Sequence, residues 1–293
     1  MILDYLKKDI DISGLSNFKT KAKSKYYFEI SSRQDIDKLV DIYKFAWDNN
    51  INILFIWWGT NLLFAFDCFD WIIVKNCLKW WKYDQKTKLL DIYSSEYISD
   101  IAKALYESGQ TLWKRFIWLP WSVWWAIYWN AWCFWLETES NFISCEVLEL
   151  DTWNILNISK NEMNFDYRSS IIKNTNKYFI ISAKFDLSTL KEKYSSEVDN
   201  IYFREHKQPK GNSCGSFFKN PSKENSAWKL IEEVWLKWRK IWGAYFSDLH
   251  SNFLMSDWNA TYNDLLELID LAKNEILNKY NIELVPEVRI ITN

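Results

Sequence analysis

The chain has little glycine and much tryptophan. Its 293 residues contain six glycines and 20 tryptophans, although glycine ordinarily makes up about 7% of a protein. Seven of the tryptophans lie within 116–136, and residues 56–61 read IWWGTN. Because their neighbours are residues typical of loops, the pattern indicates that UGA codons meaning glycine were translated as tryptophan. Genuine tryptophan is the alternative, and the context distinguishes the two least at Trp47, Trp80 and Trp153.

The chain also lacks an excess of either charge, a metal-binding cysteine pattern and a secretory signal. The net charge is −2, so nothing in the charge balance favours a nucleic-acid or membrane-surface partner. Five cysteines without CxxC spacing fit a reducing compartment better than a disulfide framework, and we expect no metal site. The N-terminus has no apolar core of a signal peptide.

One uncharged stretch, 116–136, is long enough to span a bilayer as printed. Pro120, Asn130 and tryptophans spread through its middle argue against a span, because membrane tryptophans gather at the two interfaces. We therefore expect no membrane partner.

Apolar periodicity and turn residues predict the secondary structure. The predicted helices cover 34–48, 97–109, 226–238 and 261–280, and the predicted strands 52–56, 71–76, 88–95, 142–150, 178–186 and 285–292. We expect Gly109 to end the second helix, and Trp235 and Trp238, read as glycine, to end the third. A polar, turn-rich stretch at 187–215 indicates a domain boundary near 203.

Read with glycine, residues 57–61 become GGGTN and residues 118–132 become GLPGSVGGAIYGNAG. Glycine lets backbone N–H groups approach an anion without a Cβ in the way, so the two loops suit a pyrophosphate and its attached ring system. Neither loop is a Rossmann or Walker motif. A glycine-rich loop taken alone is more often a simple turn.

Six motifs together carry a family resemblance. They are FIGGGTNLL (55–63), GLPGSVGGAIYGNAG (118–132), FDYRSS (165–170), GSFFKNP (215–221), GLKGRKIGGAYFSDLHSNF (235–253) and PEVRII (286–291), all read with glycine. In this order they resemble the UDP-N-acetylenolpyruvoylglucosamine reductase (MurB) family, in its compact second type, from about residue 18 to the C-terminus. The resemblance implies an α+β fold: a two-part FAD-binding fold of the vanillyl-alcohol-oxidase (PCMH) type, at 1–76 and 77–203, and an α+β substrate-binding domain at 204–293.

The resemblance also implies an enzyme of peptidoglycan synthesis. NADPH reduces non-covalently bound FAD, which passes hydride to C3 of the enolpyruvyl group. It implies that Ser216 protonates C2 and that Arg168 and Glu287 stabilise an enolate-like intermediate. Taken singly, these three residues would be a turn serine, an ion-pairing arginine and a strand-edge carboxylate.

Further residues take expected roles from the same resemblance. FAD contacts are expected at Trp57, Trp58, Gly59, Thr60, Asn61, Leu62, Pro120, Trp121, Ser122, Trp124, Trp125, Asn130 and Ala131, and substrate contacts at Tyr167, Lys219 and Asn220. Cys133 and Cys214 are expected to be packing residues, since neither has an identifiable base beside it. The expected protein is a cytoplasmic monomer. The alternatives are another FAD-dependent oxidoreductase of this fold and, if tryptophan is genuine, a tryptophan-rich binding protein.

Overall fold

The chain forms two compact units. The computed structural model describes residues 4–56, 59, 61–119, 121–133, 136–188, 209–222 and 224–293. One unit comprises Met1–Phe28, Phe45–Val74 and Glu205–Asn293, and the other Glu29–Lys44 and Lys75–Arg204. The expected boundary near 203 lies outside the described residues, and the division into 1–76, 77–203 and 204–293 stays a prediction.

All the predicted helices are present, and α5 is shorter than predicted. Within the described ranges the α-helices are α1 (Asp35–Asp48), α2 (Ile98–Glu107), α3 (Val123–Tyr128), α4 (Ile171–Thr175), α5 (Ala227–Glu233) and α6 (Tyr262–Tyr280). The sequence predicts a glycine-rich loop at 118–132, but in the structure this stretch contains α3. The Ser122 side chain caps this helix, which is why it begins at Val123.

The predicted strands are also present, and the structure has several further strands that the sequence does not predict. The strands are β1 (Lys7–Asp11), β2 (Lys23–Ile30), β3 (Ile53–Ile56), β4 (Leu62–Phe64), β5 (Cys68–Asn76), β6 (Trp81–Tyr83), β7 (Leu89–Tyr93), β8 (Trp132–Cys133), β9 (Leu136–Glu137), β10 (Phe142–Glu149), β11 (Ile155–Ser159), β12 (Tyr178–Asp186), β13 (Lys240–Ile241), β14 (Ala244–Phe246), β15 (Leu254–Ser256) and β16 (Arg289–Ile291). The unpredicted strands are short or charged, so apolar alternation is weak in them.

The first unit joins segments that are far apart in the sequence. Its four-stranded sheet has the order β1-β2-β5-β3, and β4 pairs in parallel with β16. An antiparallel sheet, β13-β14-β15, packs against α6. The core around α6 includes Phe18, Leu63, Phe217, Leu268 and Val288. Because this core takes residues from both ends of the chain, neither end completes it alone.

The second unit is built on a five-stranded antiparallel sheet with the order β11-β10-β12-β7-β6. In the second half of β12, the buried residues Ala183 and Phe185 alternate with the less buried residues Ser182, Lys184 and Asp186. This alternation is what a half-buried strand requires.

Among the described residues, five tryptophans have a left-handed backbone. Their φ angles are +66° at Trp118, +66° at Trp153, +61° at Trp235, +66° at Trp238 and +47° at Trp242. Positive φ is rare outside glycine, and for a bulky residue it is an outlier.

Among the described helices, none is long and apolar enough to cross a membrane. Within the described ranges, no group of three or more His, Cys, Asp or Glu side chains is placed to hold a metal ion. All five cysteines are free thiols.

Candidate active site

In the first unit, the backbone around Ser216 is hydrogen-bonded to a segment on each side. On one side, Ser216 forms an antiparallel bridge with Phe253, and the Phe217 N–H donates to the Asn252 carbonyl oxygen at 2.7 Å. On the other side, the Glu287 N–H donates to the Phe217 carbonyl oxygen at 2.7 Å. The predicted catalytic residues Ser216 and Glu287 therefore lie on neighbouring, hydrogen-bonded segments.

The Ser216 segment is anchored by the two aromatic residues that follow. Phe217 and Phe218 are fully buried, and their rings meet edge to face at 4.9 Å. In contrast, Ser216 is half-buried and Glu287 is exposed. Within the described part of the chain the Ser216 hydroxyl has no hydrogen-bond partner. This hydroxyl is therefore held by a rigid backbone and is available to a bound molecule.

Asn61, at the end of the first glycine-rich loop, is tied to the Glu287 segment. Its Nδ2 donates to the Glu287 carbonyl oxygen at 3.1 Å, and its own carbonyl oxygen accepts from the Arg289 N–H at 3.0 Å. Gly59 in this loop has a φ of +63°, and a Cβ there would lie 1.5 Å from the Leu15 carbonyl oxygen. Position 59 therefore requires glycine, and the loop meets the segment that carries Glu287.

The residues predicted to contact substrate are all exposed. The Lys219 N–H donates to the Val285 carbonyl oxygen at 2.9 Å, and the residue is exposed. The Asn220 Oδ1 accepts from the Ala227 N–H at 3.0 Å, so this oxygen helps to begin α5. In the second unit, Tyr167 is 78% exposed. Their roles as substrate contacts stay predictions.

Arg168, in the second unit, combines a left-handed backbone with an unpaired guanidinium nitrogen. Its φ is +54°, and Lys173 Nζ donates to its carbonyl oxygen at 2.7 Å. Its Nη1 is buried and has no hydrogen-bond partner among the described residues. A buried donor without an acceptor costs about 1–3 kcal/mol, and a strained backbone often marks a functional site. A planar anion such as a carboxylate would supply the missing acceptor.

Asn130, from the second glycine-rich loop, contacts the turn that carries Arg168. In this turn the Asp166 and Ser169 backbones bond to each other, at 3.1 and 3.2 Å. The buried Asn130 side chain donates to the Asp166 carbonyl oxygen at 3.3 Å and accepts from the Glu139 N–H at 3.0 Å. The predicted cofactor residue Asn130 and the predicted catalytic residue Arg168 are thus neighbours within one unit.

Indole rings fill the rest of the second loop. Ser122 Oγ accepts from the Trp125 N–H at 3.2 Å, as an N-terminal cap of α3. The rings of Trp124 and Trp125 lie 5.3 Å apart, and Trp125 stacks on Tyr128 at 5.3 Å. Trp121 lies 6.0 Å from the Arg168 guanidinium carbon. As printed, the loop presents aromatic side chains where the prediction requires exposed backbone.

Two more predicted cofactor residues, Leu62 and Ala131, are buried. The Ala131 carbonyl oxygen accepts from the Thr138 N–H at 2.9 Å, which fixes the end of the second loop. The other predicted cofactor residues lie outside the described part of the chain: Trp57, Trp58, Thr60 and Pro120.

The cysteines near the site are poor nucleophiles. Burial raises the pKa of the Cys214 thiol, which donates to the Leu62 carbonyl oxygen at 3.6 Å. The buried Cys133 thiol donates to the Arg115 carbonyl oxygen at 3.0 Å. Because the thiolate is the reactive form, these contacts agree with the expected packing role.

Asn252 is not among the residues predicted from the sequence. It is buried, and its side-chain amide bonds both backbone groups of Phe218, two residues after Ser216. The only sequence signal is its place in the motif at 235–253, which does not distinguish it from its neighbours.

Comparisons with known proteins agree with the predicted family. Residues 207–291 match the family model described as UDP-N-acetylenolpyruvoylglucosamine reductase, C-terminal domain. The reductase of that name from Francisella tularensis is 27% identical over 288 residues, 96% of this chain and 99% of that protein. The one from Fervidobacterium nodosum is 37% identical over 175 residues, 59% of this chain and 56% of that protein.

A solved structure has the same fold along the whole chain. The crystal structure of UDP-N-acetylenolpyruvylglucosamine reductase (MurB) from Thermus caldophilus gives a TM-score of 0.75 at 19% identity, over 98% of this chain and 100% of that chain. The predicted α+β fold class is confirmed, and residues 207–291 form the part that matches the C-terminal domain of the predicted family. Together with the sequence matches, this shows that the chain is similar to UDP-N-acetylenolpyruvoylglucosamine reductases in both sequence and fold.

Proposed function

We propose that this protein is a flavoenzyme that reduces the enolpyruvyl group of UDP-N-acetylenolpyruvoylglucosamine to give UDP-N-acetylmuramate, for peptidoglycan synthesis. NADPH is the proposed reductant and FAD the non-covalent cofactor. The names of the full-length relatives support the reaction. The proposed location, the cytoplasm, and the proposed monomeric state rest on the family resemblance alone.

The observation that carries the proposal is the buried, unpartnered Nη1 of Arg168. The substrate is an enol ether that bears a carboxylate, and hydride addition to it builds negative charge toward that carboxylate. A fixed guanidinium opposite this group stabilises the charge as it forms, which is the usual source of large electrostatic catalysis. Arg168 therefore binds the carboxylate and lowers the barrier.

Ser216 and Glu287 take the proton-transfer side of the reaction. The Ser216 hydroxyl gives its proton to C2 once the charge on the substrate has made that carbon strongly basic. A serine is a weak acid, so general acid catalysis depends on its placement beside the acceptor carbon, which the bonded backbone provides. Glu287, on the next segment, orients the enol and, when protonated, donates a hydrogen bond that stabilises the anionic intermediate.

The two glycine-rich loops fit a flavin only if their tryptophans are read as glycine. The flavin supplies the hydride when bound. Its contacts would come from Gly59 and Asn61 in the first unit and from Ser122 and Asn130 in the second, with backbone N–H groups for the pyrophosphate. The indoles of Trp124 and Trp125 occupy the volume beside α3, so the printed loop does not fit the cofactor.

The test uses the chain with glycine at all 20 tryptophan positions, called the all-glycine chain. We expect it to purify yellow, to be bleached by NADPH and to regain its colour, without oxygen, when UDP-N-acetylenolpyruvoylglucosamine is added. A flavin that is bleached but ignores this substrate would mean another oxidoreductase of the same fold. A folded, colourless protein would contradict the flavin and favour the tryptophan-rich binding protein.

A further inference from the structure

The end of α5 places Trp235 in a conformation that glycine adopts. Trp235 has a φ of +61°, and its N–H donates to the Glu232 carbonyl oxygen while the Leu236 N–H donates to that of Ile231. These two bonds define the Schellman helix ending, whose left-handed residue is usually glycine and sometimes asparagine. Trp235 is 88% exposed, so its indole gains no packing that would offset the strain.

Two other helices of this chain end with the same pair of bonds. After α2, Gly109 donates to the Tyr106 carbonyl oxygen and Gln110 to that of Leu105. After α3, the left-handed position belongs to Asn130. The same local geometry therefore selects glycine and asparagine elsewhere in this chain, and tryptophan at 235 is the exception.

The turn at Trp118 also requires glycine. Ile117 has φ −58° and ψ 131°, Trp118 has φ +66°, and the Leu119 N–H donates to the Phe116 carbonyl oxygen at 2.9 Å. These angles define a type II turn, which needs glycine or asparagine at its third position. An indole side chain has no feature that favours tryptophan at this position of the turn.

The three remaining left-handed tryptophans lie in tight turns as well. Trp238 precedes Arg239, whose N–H closes a turn on the Leu236 carbonyl oxygen at 2.9 Å. Trp242 is the first residue of the two-residue loop of the β13–β14 hairpin, where the favoured turns need a positive φ. Trp153 lies in the turn between β10 and β11.

We propose that residues 118, 153, 235, 238 and 242 are glycine in the protein as its own cell makes it, because the UGA codon is read there as glycine. This inference rests on the backbone angles of the five residues and does not depend on the proposed function. It also identifies residue 153 as glycine, which the neighbouring sequence does not do.

The test is to read the five codons in the gene and the five residues in the protein isolated from its own cells, by peptide mass spectrometry. We expect UGA at all five codons and peptides lighter by the difference between tryptophan and glycine. A UGG codon or a tryptophan-containing peptide at any of the five would overturn the proposal. Positions elsewhere that carry UGG serve as the control and should contain tryptophan.

A second inference concerns Asn252 and rests on the proposed function. The Asn252 side chain is 3% exposed; its Oδ1 accepts from the Phe218 N–H at 2.9 Å and its Nδ2 donates to the Phe218 carbonyl oxygen at 2.8 Å. Its backbone oxygen accepts from the Phe217 N–H at 2.7 Å. Three hydrogen bonds from one residue thus fix the two residues that follow Ser216.

The opposite edge of the same segment bonds to the Glu287 N–H. A shift of Phe217 would therefore move Ser216 relative to Glu287. We propose that Asn252 is the positioning residue that aligns the Ser216 hydroxyl for proton transfer. It acts through the backbone and does not touch the substrate.

The matched control is Asn76, which is 2% exposed, lies in the second unit and also makes two side-chain hydrogen bonds, with Ser94 and Leu78. In the all-glycine chain, we expect Asn252→Ala to slow the return of flavin colour by roughly 10²-fold, as small misplacements at a reacting centre do. Bleaching by NADPH should be unchanged, and the solvent deuterium isotope effect on colour return should increase. Asn76→Ala should leave both steps at the parent rates.

A double-mutant cycle separates positioning from general loss of structure. In a Ser216→Ala background, Asn252→Ala should cause little further slowing, because the group that it positions is already gone. Additive effects of the two substitutions, or equal slowing of the bleaching and colour-return steps, would overturn the positioning role.

If the all-glycine chain does not respond to the substrate, the proposed function fails and this inference fails with it. If that chain responds and Asn252→Ala behaves like Asn76→Ala, only this inference is overturned.

Discussion

At the scale of single residues, Trp235 is under backbone strain. A left-handed conformation costs a residue with a Cβ about 1–2 kcal/mol, so we expect Trp235→Gly to raise the free energy of unfolding by about this amount. Urea denaturation of the printed chain and the variant measures the difference. Trp258 is 90% exposed and is not among the positive-φ residues, so Trp258→Gly should give no gain. Equal effects of the two substitutions would contradict the strain.

Arg168 shows how a residue's surroundings, and not its type, indicate a role. Its unpaired Nη1 and left-handed backbone suit a planar anion, which lysine cannot bind with two parallel hydrogen bonds. In the all-glycine chain we expect Arg168→Lys to lower kcat/KM by roughly 10²-fold, the size of losing one donor to a developing charge. Arg33 pairs with Glu146 by two hydrogen bonds, and Arg33→Lys is the control that should leave kcat/KM unchanged.

The buried part of His250 predicts that the stability of the protein depends on pH. Burial lowers the pKa of its imidazole from 6.5, and its Nδ1 accepts from the Asn252 N–H at 3.3 Å. Since the unfolded chain then binds the proton more readily, the folded state loses stability as pH falls below 6.5. Urea midpoints measured on either side of this pH should differ less in His250→Gln. An unchanged difference would place the sensitivity in another group.

At the scale of elements, α6 begins with a complete capping box. Thr261 Oγ1 accepts from the Asp264 N–H at 3.2 Å, and Asp264 Oδ2 accepts from the Thr261 N–H at 2.8 Å. Losing such a cap costs about 1 kcal/mol. Thr261→Ala should therefore lower the free energy of unfolding by about this amount, and Thr261→Ser should retain most of it. A Ser variant as unstable as the Ala variant would mean that the threonine methyl group matters more than the hydrogen bond.

The elements that could be predicted are those with a strong periodic signal. α6 was predicted to within one residue because its apolar positions repeat at helical spacing and Asp264 lies in its first turn. β1, KKDID, was not predicted, since it contains a single apolar residue. α3 was missed because its two tryptophans and the surrounding loop residues hide the helical pattern.

At the scale of the whole molecule, the first unit depends on the last residues of the chain. β16 pairs with β4, about 230 positions earlier in the sequence, and Val288 belongs to the core that contains Phe18 and Leu63. Removing residues 286–293 deletes a strand and the buried side chains of Val288 and Ile291, so the first unit should unfold. Limited proteolysis would then cut within 1–28 and 45–74, while the sheet of the second unit stays protected. A truncated chain that resists cleavage in both units would contradict this dependence.

The sequence by itself predicted the family, the catalytic residues Arg168, Ser216 and Glu287, and the presence of tryptophan where glycine is expected. These depend on residue types in a fixed order, which are visible without coordinates. Only the tertiary structure decided that Ser216 and Glu287 lie on bonded neighbouring segments, that Arg168 has an unpaired buried nitrogen and that Asn252 holds Phe217 and Phe218. Hydrogen bonds between residues far apart in the sequence, and the burial of a single atom, arise from folding and leave no local pattern in the chain.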